Sequence, residues 1–169
     1  MDWARIHSMI VHVPVVLATV GTVAVLLGLV ARRRGLWLYG SISLTLASVM
    51  MPPAFLTGRL ADSHRGRSVS LPSASIRAHE DAALISAALI VIAGLLALVA
   101  WRRLVRYPRE VAMPPWLRGA VLVTALTGTS SILYTALLGE RMRYDSPAPH
   151  QTAPKPIQSY PAPGATPND

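Results

Sequence analysis

Three histidines in this 169-residue chain stand where imidazole chemistry is plausible. His12 lies inside a long apolar run, His7 stands five residues before it, and His79 opens another run. Ionisable side chains inside a transmembrane segment are costly, so each one suggests a ligand, a proton path or a cofactor. Two imidazoles on facing helices suit the axial positions of a b-type haem, which needs no cysteine. Imidazoles with thioethers, here His7, Met9, His12, Met50, Met51 and His79, would instead suit Cu(I). The plainer alternative is that His12 hydrogen-bonds a carbonyl or hydroxyl of a neighbouring helix, that His79 is wet, and that the methionines simply pack.

Geometry narrows the imidazole pair. At about 100° per residue, His7 and His12 point about 140° apart, so one helical face cannot present both to one metal ion. His12 is expected to meet His79 across two helices, both binding the metal. His7 then reaches a carboxylate or solvent, or orients the site from outside the ligand shell. Arg59, Arg77 and Arg141 are the candidate cofactor-binding cations, because a planar guanidinium matches a haem propionate. Pro14 is expected to bend the helix beside His12. His64 and His150 are expected in solvated loops.

Four apolar runs must position these residues. They cover about 9–31, 36–56, 82–101 and 116–138, each long enough to cross a hydrocarbon core of roughly 30 Å. With 52% hydrophobic and 14% charged residues and a mean hydropathy of +0.42, the composition is that of a membrane protein. The expected fold is all-α: a four-helix transmembrane bundle over 1–145 and a disordered proline-rich tail over 146–169. Seven of the fourteen prolines fall in residues 147–169, which cannot bury enough apolar area to offset their ordering entropy. The segment from Thr57 to Arg77, rich in Ser, Arg and Gly, is expected to be irregular apart from a short surface helix. Pro72, Ser73 and Ser75 signal the start of the third helix. In the fourth run, Ala120, Thr124 and Gly128, with Thr127, Ser131, Thr135 and Gly139 beside them, form small-residue stripes suited to close helix packing within the bundle.

Charge sets the expected topology. Arg32, Arg33 and Arg34, with Arg102, Arg103, Arg106, Arg109 and Arg118, flank two short links holding eight basic residues against one acid. The other side spreads eight basic residues among seven acids over much longer segments. By the positive-inside rule the two links face the cytoplasm and both termini lie outside. Trp37, Trp101 and Trp116 read as interfacial anchors on the arginine side. The net charge of +8 is thereby explained by topology, and no nucleic-acid partner is expected. With no cysteine there can be no disulfide, thiolate metal site, iron–sulfur cluster or covalent c-type haem. No Ser or Thr has an identifiable base and orienter, and neither a Walker loop nor a His-Glu-x-x-His motif is present, so an enzyme acting alone is not expected.

The run Ile6-His7-Ser8-Met9-Ile10-Val11-His12-Val13-Pro14 resembles the His-Pro-x-x-Val-His-Phe-Pro opening of a bacterial membrane family, domain of unknown function 2231. Thr57-Gly58, Ala61-Asp62, Ala78-His79 and the Gly139-Glu140 ending match further along, so the resemblance covers about residues 5–145. Ser8, Val13 and Leu138 depart from the family pattern. The resemblance implies a four-helix multi-pass protein of the bacterial inner membrane and draws His7, His12 and His79 together, with no activity to carry over. Three functions stay open: electron transfer or redox sensing with haem b, metal handling with copper, or an accessory subunit of a larger membrane complex. A redox partner or that complex joins the lipid bilayer as the expected surroundings.

Overall fold

The structure is a computed structural model that describes residues 3–64, 73–107 and 113–145. Among these, four helices account for nearly all residues and no strand occurs: α1 Trp3–Val30, α2 Arg34–His64, α3 Ser73–Arg106 and α4 Pro115–Asp145. All four are long and apolar enough to span a membrane, over Arg5–Val30, Arg34–Ala61, Arg77–Arg106 and Pro115–Arg141. Each helix packs on the next in sequence, and α4 closes the bundle against α1. α1 and α3 therefore stand diagonally across it.

The helices outrun the apolar segments. α2 passes through Pro52 and Pro53 and continues to His64, while α3 already begins at Ser73. The start of α3 is where Pro72, Ser73 and Ser75 signalled it, whereas the continuation of α2 corrects the expectation of irregular chain from Thr57 and makes His64 the last residue of a helix. Hydropathy marks only the part of a helix that lies in hydrocarbon, and a helix can continue into water. The proline-rich tail and His150 lie outside the described residues.

Packing rests on small residues, because lipid offers apolar side chains as good an environment as a protein core does. Gly21 and Gly40 bring α1 and α2 into contact: a Cβ built on Gly40 would lie 2.8 Å from the Gly21 carbonyl oxygen. Toward the arginine end, Val25, Trp37, Leu44, Ala97, Leu117 and Val121 belong to one core cluster. A second comprises Ala18, Ala47, Met51, Ile90 and Ile132. Trp37, only 6% exposed, packs inward against Gly28 and is not the expected interfacial anchor, whereas Trp116 is 64% exposed. Gly28 leaves the space that the indole fills.

Hydroxyl pairs cross the helix seams. Thr22 Oγ1 and Thr129 Oγ1 lie 2.8 Å apart between α1 and α4, and Ser86 Oγ lies 2.8 Å from both Ser131 Oγ and Thr135 Oγ1 between α3 and α4. Such bonds are worth about 0.6 kcal/mol each in a membrane bundle. Gly128 lies against Ile90 of α3, so the α4 stripes of small residues serve packing inside the bundle. At the opposite seam Arg34 of α2 donates to the Leu104 carbonyl and, at 2.8 Å, to the Tyr107 carbonyl, capping the end of α3.

Candidate functional site

The up-and-down course of the chain gathers the start of α1, the end of α2, the start of α3 and the end of α4 at one end of the bundle. Each hairpin there sets an imidazole on a glycine. His7 of α1 lies on Gly58 of α2, where a built Cβ would be 3.0 Å from His7 Cε1. His79 of α3 lies on Gly139 of α4, with the corresponding distance 3.2 Å. Larger side chains at 58 or 139 would occupy the space of the rings.

Backbone chemistry fixes the His7 ring. Its Nδ1 is 3.0 Å from the Ala54 carbonyl oxygen and 3.2 Å from Thr57 Oγ1. A carbonyl can only accept, so Nδ1 carries the proton and donates it, and Nε2 keeps its lone pair. Thr57 Oγ1 has its own acceptors in the Pro53 and Ala54 carbonyls, at 2.9 Å and 3.0 Å. The ring is thereby oriented with an electron-pair donor at Nε2. Outer contacts of this kind are typical of metal-ligating histidines.

His12 faces elsewhere. It is exposed on the outward stripe of α1 with Met9, Val13 and Val16, and its Nδ1 donates to the Ser8 carbonyl of its own helix. His79 is half-buried on α3, the helix diagonal to α1. His12 is thus turned out of the bundle and not into it as the pairing with His79 supposed: of the two α1 histidines, His7 turns inward. The physical reason is the stripe His7, Pro14, Gly21 and Gly28, spaced by seven, whose glycines and His7 contact α2. Once that stripe faces α2, the 140° offset between His7 and His12 carries His12 outward.

The other candidates are spread over this end. Arg59, Arg77 and Arg141 are exposed, as are Glu80, Asp81 and Glu140. Met9 is 68% exposed on the outer face of α1, while Met51 belongs to the core cluster with Ala18 and Ile90. Met9 and Met51 thus lie in different surroundings, one on the outer face and one in the core. Among the described residues no group of three His, Cys, Asp or Glu converges to hold a metal ion.

Sequence reading missed the Ala54 carbonyl and Thr57 as the partners of His7. Their signal was faint: a threonine four residues after Pro53, followed at once by glycine, at the end of an apolar run. It also missed the hydroxyl cluster of Ser86, Ser131 and Thr135. Ser86 lies seven residues beyond His79 and Thr135 four before Gly139, so this cluster sits beneath the His79–Gly139 contact.

A family model described as a predicted membrane protein, domain of unknown function 2231, matches residues 4–148. No curated protein and no solved structure gives a match.

Proposed function

From a chain that belongs to the DUF2231 family of predicted membrane proteins, we propose a membrane-embedded b-type haem protein for electron transfer or redox sensing, in which His7 and His79 would hold the haem. The observation that carries this reading is the His7 Nδ1–H bond to Ala54, which fixes the tautomer and leaves Nε2 as a donor at the histidine end of the bundle. Haem iron receives four nitrogens from its macrocycle and needs only two from protein. A pair of imidazoles therefore fits it where a bare ion would want a third or fourth ligand.

A bound haem would supply a reversible one-electron centre. Ala54 and Thr57 would hold the His7 ring in register. Gly58 and Gly139 would keep the two rings clear of side chains, and the packed helices below would exclude water. Arg59, Arg77 and Arg141 would pair with propionates at the end of the bundle. The arginine-rich links at the other end favour the cytoplasm by the positive-inside rule, which would put the site at the outer face of a bacterial inner membrane, facing a redox partner there.

The test is an optical spectrum of protein purified from haem-replete cells, oxidised and then dithionite-reduced. A reducible haem band should vanish in His7→Ala and in His79→Ala and survive in His12→Ala. Loss of the band in His12→Ala with retention in His7→Ala would return the ligand role to the outward histidine. Wild-type protein without any band would overturn the haem reading.

A further inference from the structure

The arginine end of the bundle has a turn whose construction is not explained by connecting two helices. α1 ends in a left-handed residue: the Arg33 N–H reaches the Gly28 carbonyl at 3.2 Å, which requires the residue between, Arg32, to sit at φ 51°. Glycine adopts that conformation freely and arginine does not. A glycine is present only three residues later, at Gly35. Glycine at 32 would close the same turn without that strain.

Directly beside this turn lies an open cleft of about 600 Å³ lined by Arg33, Arg34, Gly35, Leu36 and Leu38. Its walls are firm. Arg34 is fastened to the Leu104 and Tyr107 carbonyls at the end of α3, and Trp37 is locked into the core against Gly28. Gly35 has no atom within 4 Å of a built Cβ, so the floor is open. The Arg32 and Arg33 guanidinium groups are exposed and have no partner among the described residues. Exposed cations in the turn and half-buried leucines along the cleft match a molecule that is anionic at its head and apolar behind it.

We propose that this cleft binds the phosphodiester headgroup of an anionic phospholipid, with Arg32 and Arg33 on the phosphate and Leu36 and Leu38 beneath the first part of an acyl chain. Basic pockets between transmembrane helices are suited to such headgroups, and a guanidinium offers a phosphate two parallel donors. The turn strains Arg32 in order to keep a cation there. Free phosphate shares the headgroup chemistry but lacks the apolar part that the leucines would cover.

The test is native mass spectrometry of the full chain, delipidated in a mild detergent and titrated with phosphatidylglycerol, phosphatidylcholine or inorganic phosphate. The variant is Arg32→Gly with Arg33→Gln, in which glycine preserves the left-handed turn. At about a fivefold change per surface cation, the pair should lower phosphatidylglycerol affinity by roughly 25- to 30-fold at low salt. Arg102→Gln with Arg106→Gln removes the same charge from the same end, outside the cleft, and should change it by less than about threefold. Phosphatidylcholine should bind weakly, and inorganic phosphate should not displace bound phosphatidylglycerol. Equal losses in the two double variants would show a diffuse basic surface and overturn the site. Full displacement by inorganic phosphate would reassign it to the free anion, and equal phosphatidylcholine binding would remove the role of the arginines.

Discussion

Gly40→Ala is the sharpest test of how this bundle is held together. Alanine is the better helix former by about 1 kcal/mol, so propensity alone favours the change. The added Cβ, however, would lie 2.6 Å from Val25 Cγ2, 2.8 Å from the Gly21 carbonyl oxygen and 2.9 Å from the Val25 nitrogen. Two of those three atoms are backbone and cannot rotate away. Ordinary contact at about 3.4 Å needs α1 and α2 to part by roughly 0.6 Å, and overpacking of this kind costs about 1–3 kcal/mol. Because backbone must move, a cost near 2 kcal/mol is expected, leaving Gly40→Ala destabilised by about 1 kcal/mol after the propensity gain. Gly119 supplies the control, since nothing lies within 4 Å of a Cβ built there. Gly119→Ala should gain the propensity and pay no steric cost. The two variants should therefore differ by about 2 kcal/mol, or about 4–8 °C in midpoint for a chain of this size. Circular dichroism melts in one mild detergent read that difference directly. Equal midpoints would refute the claim that α1 and α2 touch through their glycines.

Three further outcomes are expected. A double-mutant cycle on Thr22→Val and Thr129→Val should give a coupling of about 0.6 kcal/mol, and not above about 1.7, measured by unfolding in detergent; zero coupling would mean the 2.8 Å contact contributes nothing. Arg34→Gln removes a charge-assisted cap from the end of α3 and should cost about 1.5–3 kcal/mol, read as a lowered melting midpoint and faster amide exchange around residues 104–107, whereas unchanged exchange there would separate Arg34 from the helix end. Reporter fusions after Gly35 and after Pro149 should give opposite signals with the former cytoplasmic, because the two arginine clusters flank short links; the reverse pattern would turn the histidine end inward.

The number of helices, their alternating direction and the end at which the histidines gather were all legible in the residue order. Runs of about 20 apolar residues can satisfy their backbone polar groups in a bilayer only as helices, and short links make neighbours antiparallel. Helix ends were less legible: Arg59 and Asp62 prolong α2 beyond its apolar run because hydropathy reports the membrane and not the helix. The inward-facing histidine was decided only in three dimensions. Spacing showed that His7 and His12 cannot share a face, but both neighbourhoods are apolar, and lipid accepts the same side chains as a helix seam. What separates them is the fit of Gly21 against α2, of Gly28 against Trp37 and of His7 against Gly58, each a contact between two different helices. The Ala54 carbonyl that orients His7 is likewise a backbone group, and no residue type announces it.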